Sequence, residues 1–240
     1  MDRKIIITVG AVVIAVVIVA TLLYINFMKK GLGPPSKIET IGGKYNVTLS
    51  FWNDGAAKIE YTDETGKHSE MYFNPEMRNS SDWIRANTPE NSTMLCWWDY
   101  GHMIKGYAER NVIARNPSHE IIDSVACARE DPNCIKEFDS HEKISDIASA
   151  FSTSNSTETL QIMKKYNATY ILVCTDELDK TWWIYHIAGL DPTIYLKTGN
   201  PSAEFTEAGK QTMLSRLLEN RDTGFTLVYQ DSEVKIYKTN

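Results

Sequence analysis

The sequence predicts a mixed α/β globular body, with helices around a small sheet, joined to a small β unit and one N-terminal transmembrane helix. Three features carry that prediction. From residue 76 to residue 240, apolar runs of strand length alternate with amphipathic helical segments, the pattern of an α/β body. Between residues 37 and 75 the alternation is instead residue by residue, as in a hairpin. Residues 5–28 carry no charged side chain. As a helix rising about 1.5 Å per residue, that run is long enough to cross a hydrocarbon core of ~30 Å.

Bulk composition narrows the class. The chain has 240 residues, 42% hydrophobic and 23% charged, which suits one or two packed domains and not a disordered chain. Its net charge of −6 is unevenly spread: residues 1–30 hold Arg3, Lys4, Lys29 and Lys30 against Asp2, leaving −9 for the rest. An acidic body argues against nucleic acid as a partner, because phosphate binding needs clustered Lys and Arg.

Taken in order, residues 1–30 read as an uncleaved anchor in the cell membrane, crossing it once. The apolar run is longer than that of a signal peptide and lacks a small-x-small cleavage site. A buried helix of a soluble protein is the alternative. Arg3 and Lys4 nearly balance Lys29 and Lys30, so charge alone does not orient the anchor in the bilayer. Five Asn-x-Ser/Thr sequons, at Asn46, Asn79, Asn91, Asn155 and Asn167, point to the extracellular side for the globular body, with chance occurrence in surface loops as the alternative. Cys127 and Cys134 bracket the polar loop AREDPN. A small disulfide and two ordinary thiols are both open readings.

Residues 31–36 form a Gly/Pro linker. The β unit spans 37–75. It contains a hairpin around Asp63–Lys67, with Ile59, Tyr61, Met71 and Phe73 in strand spacing. From 76 to 240 the α/β body begins with SSDWIRANTP, a short helix with a Ser or Asp N-cap, stopped by Pro89. STMLCWW reads as a strand, followed by a turn at Asp99–Gly101 and a helix in HMIKGYAER. HEKISDIASAF and TETLQIMKKY are amphipathic helices, and ATYILVC (168–174) is a buried strand. DELDKTWWIYHIAG is a helix closed by Gly189, and EAGKQTMLSRLLEN is a further one. FTLVYQ and SEVKIYK close the body as strands.

The chemistry concentrates at Trp97-Trp98-Asp99-Tyr100-Gly101. In a plain strand Trp97 and Asp99 would share one face and Trp98 the other. A turn at Asp99 would bring two indole N–H donors toward one carboxylate, a pocket suited to an aliphatic hydroxyl. Two packed aromatics with Asp99 capping the next helix is the simpler alternative.

The stretch WWDYGHMI resembles the signature of the catalytic subunit of oligosaccharyltransferase, the membrane enzyme of protein N-glycosylation, in its archaeal form. The resemblance implies that Trp97, Trp98 and Asp99 grip the hydroxyl of the Ser/Thr at the +2 position of an acceptor sequon. The family's second element reads Asp-x-x-Lys-x-x-x-Met/Ile. Here DELDKTWWI supplies Lys180 and Ile184 at the right spacing, with Glu177 at the strict Asp position and Asp176 one residue early. On a helix Asp176, Lys180 and Ile184 share a face, with Glu177 at its edge. By the resemblance, Ile184 packs on the acceptor threonine methyl.

The likeness covers the globular part and at most one membrane helix. In the family, a dozen or so further membrane helices hold the lipid-linked glycan and the metal-binding carboxylates. The expected assignment is therefore an acceptor-recognition domain that has no catalytic residue of its own and is not active alone. It binds no metal, and Mn or Mg belongs to a multi-spanning oligosaccharyltransferase partner. Its other partners are a sequon-containing peptide or protein and the lipid bilayer. The rival class is an anchored extracellular module that binds a peptide or protein without a link to glycosylation. HEIID (119–123) lacks the second histidine of a zincin, and no P-loop, dinucleotide glycine pattern or nucleophile elbow appears.

Overall fold

The computed structural model describes residues 33–53, 55–71, 77–115, 142–197 and 204–239. The expected anchor and the Cys127–Cys134 pair lie outside the described residues. Among the described residues, no helix is long and apolar enough to cross a membrane.

The described residues divide into two compact units, one drawn from residues 33–38 and 50–56, the other from residues 39–49 and 57–239. In the first, Trp52 donates its indole N–H to the Gly33 carbonyl at 2.6 Å, and the Ser36 hydroxyl donates to the Phe51 carbonyl at 3.0 Å.

A four-stranded sheet runs in the order β1 (Lys37–Ile41), β2 (Val47–Phe51), β3 (Ala57–Asp63), β4 (Gly66–Glu70). The β3–β4 hairpin turns at Glu64-Thr65, and its register sets Tyr61 opposite His68 and Ile59 opposite Glu70. Ile59 and Tyr61 are buried, as their alternation predicts. Met71 departs from the expectation: it falls just past β4 and is exposed. Phe73 lies outside the described residues.

Helix α1 (Arg78–Asn87) follows and ends ahead of Pro89, as expected. Its N-cap is Met77, without a side-chain cap. Ser80 and Ser81 are buried inside the helix, where Ser80 donates to the Met77 carbonyl. The serines therefore do not cap it, because the helix starts earlier than its polar residues suggest.

The second sheet has five strands in the order β6 (Asn111–Val112), β5 (Thr93–Leu95), β7 (Ala168–Cys174), β9 (Val234–Lys238), β8 (Thr226–Gln230). β5 is parallel to both β6 and β7, whereas β7–β9 and β9–β8 are antiparallel, so the sheet is mixed. From Tyr170 to Cys174 every residue of β7 is buried, which requires cover on both faces. Helices α2 (Glu142–Ser152), α3 (Ser156–Lys165), α4 (Glu177–Ile187) and α6 (Met213–Leu218) build the helical layer, with the one-turn α5 (Pro192–Tyr195) between α4 and α6. α2 packs on α3, α4 and α6, while α3 and α6 touch β7. Ile144, Ile147 and Phe151 of α2 are fully buried, as are Leu95, Ile171, Val173 and Ile236 of the sheet. Asn155 caps α3 by accepting from the Thr157 N–H at 3.0 Å, and Gly189 closes α4 at φ 76°, a conformation easiest for glycine.

Candidate functional site

Parallel pairing of β5 with β7 sets Leu95 beside Ile171. The chain segments leaving the carboxyl ends of these neighbouring strands are therefore neighbours too, the usual place for a site in a sheet with parallel strands. One segment is Cys96–Gly101 and the other is Thr175–Glu177, leading into α4. Residues 81 positions apart meet there: Lys180 Nζ lies 2.8 Å from Asp99 Oδ2. It also donates to the Tyr100 hydroxyl at 3.2 Å and sits 4.7 Å from the centre of the Tyr100 ring.

The five candidate residues differ in exposure. Trp98, Asp99 and Lys180 are part-exposed, whereas Trp97 and Ile184 are buried, at 1% and 0%. The two indoles lie against each other, with ring centres 4.0 Å apart and planes 30° from parallel. Ile184 is one helical turn beyond Lys180 on α4. A molecule arriving from solvent thus meets Trp98, Asp99 and Lys180 first.

Glu177 stands at the first position of the expected second motif. Helix α4 starts there, and Asp176 is its N-cap. Glu177 turns back so that Oε2 accepts from the Cys174 N–H, and the side chain becomes fully buried instead of lying at an edge. Its Oε1 has no hydrogen-bond partner among the described residues. Burial pushes the Glu177 carboxyl up to about 8 against the pull of Lys180, so at neutral pH it is mostly uncharged. Burial alone would lower the Lys180 ammonium, but the charge and hydrogen bond of Asp99 outweigh it and leave its pKa raised. The result is one ion pair resting on a neutral acid. A lysine amid these carboxylates leaves no place for a divalent cation, so the site does not fit a catalytic metal.

Tyr100, Cys96 and Cys174 stay in their neutral forms. Burial raises the Tyr100 phenol well above its ordinary value, pushes the Cys174 thiol up to about 12 and raises Cys96 as well. Neither cysteine has the character of a nucleophile.

The turn after Asp99 differs from the expectation. Residues Trp98–Tyr100 form a 3₁₀ turn and Met103–Tyr107 a π-helical turn, where the sequence pattern suggested a turn and then an α-helix. Gly101 is helical, at φ −60° and ψ −39°, so no special backbone conformation calls for glycine. Close approach does: a Cβ at this position would lie 2.5 Å from Arg115 Cα. Gly106 likewise lets the Tyr61 ring approach to where a Cβ would lie 2.6 Å away.

A second cluster escaped the sequence reading. His68, Glu70 and His102 each present a ligand atom, all within 4.8 Å of one another. The only sequence signal is the alternation of His68 and Glu70 on one face of β4. The arrival of His102 depends on tertiary structure.

No protein-family model matches the chain. By sequence it is similar to the dolichyl-diphosphooligosaccharide–protein glycosyltransferase subunit stt3 of Schizosaccharomyces pombe, at 26% identity over 161 residues, 62% of this chain and 18% of that protein. A dolichyl-phosphooligosaccharide-protein glycotransferase of Methanocaldococcus jannaschii is 50% identical over 40 residues, 17% of this chain and 4% of that protein. The chain therefore matches less than a fifth of the length of either relative. In three dimensions it is similar to the C-terminal globular domain of oligosaccharyltransferase from Archaeoglobus fulgidus, with a TM-score of 0.50 and 21% identity over 70% of this chain and 99% of that domain.

Proposed function

We propose that this chain, homologous to oligosaccharyltransferase subunits, is an acceptor-recognition domain that reads the Ser/Thr hydroxyl of Asn-x-Ser/Thr sequons in protein N-glycosylation. The observation that carries this reading is the 2.8 Å pair between Asp99 and Lys180, which joins the Trp-Trp-Asp segment to the lysine of the second motif. Asp99 accepts the proton of the acceptor hydroxyl, and an indole N–H donates to its oxygen. Lys180 holds the Asp99 carboxylate in place. Glu177, uncharged beneath them, does not compete for the lysine. Ile184 takes the threonine methyl, which requires side chains above it to part, since Ile184 is fully buried here.

On this reading the domain is anchored by residues 5–28 and works beside a multi-spanning partner that supplies the lipid-linked glycan and a Mn or Mg ion. The chain alone transfers no glycan. Burial of Trp97 and Ile184 favours a second reading, a peptide- or protein-binding module in which the Trp-Trp pair is only scaffold.

Titration of the full chain in detergent micelles with Asn-x-Thr, Asn-x-Ser and Asn-x-Ala peptides separates the two. Indole NMR signals report contact at Trp97 and Trp98. The sequon reading expects Thr over Ala by roughly ten- to hundredfold. It expects Thr over Ser by less, about 1 kcal/mol for one buried methyl. Equal binding of all three with unmoved indole signals would support the scaffold reading.

A further inference from the structure

His68 and Glu70 project from one face of the edge strand β4. His102 reaches them from the segment three residues after Asp99. His102 Nε2 lies 3.8 Å from Glu70 Oε1, and the two imidazole centres are 5.5 Å apart.

From this juxtaposition we propose that His68, Glu70 and His102 form a divalent transition-metal site, of the kind that takes Zn²⁺. The ligand chemistry is one argument. Two imidazoles and one carboxylate suit Zn²⁺ and Co²⁺, whereas Ca²⁺ and Mg²⁺ want oxygen ligands throughout.

The groups around the ligands are a second, independent argument. Each imidazole is already oriented through one nitrogen by a protein oxygen, as metal-binding histidines usually are. His68 Nε2 lies 2.9 Å from Asp63 Oδ1, and His102 Nδ1 lies 2.9 Å from the Tyr61 hydroxyl. We assign the opposite nitrogen of each ring as the ligand atom. Asp63 is itself pinned, pairing with Arg115 and accepting from the backbone and hydroxyl of Thr65.

Geometry sets the adjustment required. Tetrahedral Zn²⁺ with bonds of about 2.1 Å places its ligand atoms roughly 3.4 Å apart. Each of the three residues offers a ligand atom within 4.8 Å of the others, so the set needs to close by up to about 1.4 Å, within reach of side-chain rotation. His102 is buried and the Glu70 side chain is 29% exposed, so the fourth position is open to solvent on the Glu70 side. A bound ion would tie the segment that follows the Trp-Trp-Asp motif to the β3–β4 hairpin. The metal site stands independently of the sequon reading, and it amends the expectation that this chain binds no metal.

The test is metal binding by the full chain in detergent, stripped with a chelator and titrated with Zn²⁺ against a chromophoric competitor. Co²⁺ serves as a spectroscopic probe. The proposal expects one equivalent of Zn²⁺, a visible Co²⁺ spectrum of tetrahedral type, and a loss of affinity of about 100-fold or more in His68→Gln and in Glu70→Gln. Glu70→Gln is nearly isosteric and lies on an edge strand, so it keeps the test valid if His68→Gln fails to fold. Circular dichroism checks both. Absence of stoichiometric binding would overturn the site. So would Zn²⁺ affinity unchanged in a folded Glu70→Gln variant, since the ion would then sit on other residues.

Discussion

Replacing Glu177 with glutamine tests the electrostatics of the site without touching its solvent-facing groups. In the folded chain the Glu177 carboxyl titrates at about 8, against an ordinary value of 4.5. Between those limits the folded state binds more protons than the unfolded state, so stability falls as pH rises. That difference corresponds to about 5 kcal/mol at about 1.4 kcal/mol per pH unit, an upper bound that relaxation around the carboxylate reduces to about half. Below pH 4.5 the acid is protonated in both states and costs nothing of this kind. The glutamine of the variant has no such titration. Its amide oxygen can still accept from Cys174, and its NH₂ group meets the same lack of a partner as Glu177 Oε1 does now. The variant should match the wild type to within about 1 kcal/mol at a pH of about 4.5 and exceed it by ~2–5 kcal/mol at a pH of about 8.5. Urea unfolding of both chains, followed by tryptophan fluorescence across that pH range, measures this directly. Parallel stability curves across the whole range would refute the placement of a buried, mostly neutral Glu177 beneath Lys180.

Other consequences are simpler to measure. Gly101→Ala should cost about 1–3 kcal/mol, because the new methyl would meet the backbone of Arg115, which cannot swing away. Gly189→Ala meets nothing within 4 Å, so only its φ of 76° should tell, at about 1 kcal/mol. Thermal melts of the two variants rank these effects, and a larger loss at Gly189 would contradict the packing argument. Lys180→Gln should lower stability by less than about 1 kcal/mol, since both partners of the Asp99 pair are about a quarter exposed. Peptide selectivity should suffer far more than stability in that variant. Ile171→Ala, in the centre of β7 beside Leu95, should cost ~2–5 kcal/mol by urea unfolding.

Much of the fold is legible wherever local pattern and burial agree. ATYILVC predicts β7 at its observed limits because an unbroken apolar run of strand length has few alternatives. Gly189 ends α4 because little else takes a left-handed backbone so readily. Legibility fails where a distant contact decides. Residues 98–107 look like a turn and a plain helix, yet the chain winds into 3₁₀ and π turns there, and Gly101 and Gly106 within it admit Arg115 and Tyr61 closely. Met71 continues the alternation of its strand, but β4 ends one residue sooner. The meeting of Asp99 with Lys180 follows from sequence only once β5 is set beside β7, and the full burial of Glu177 but not of Asp176 turns on a single residue at a helix start. The cluster of His68, Glu70 and His102 spans two elements, so no local pattern could announce it.

That Asp99 reads a hydroxyl is the claim on which the proposed function rests. A double-mutant cycle states it in one number: Asn-x-Thr and Asn-x-Ala peptides titrated against the wild-type chain and against Asp99→Ala. The wild type should favour Thr by roughly 1–3 kcal/mol and Asp99→Ala should lose most of this preference, giving a coupling of the same size. A coupling near zero, with Thr and Ala peptides discriminated equally by both chains, would contradict it.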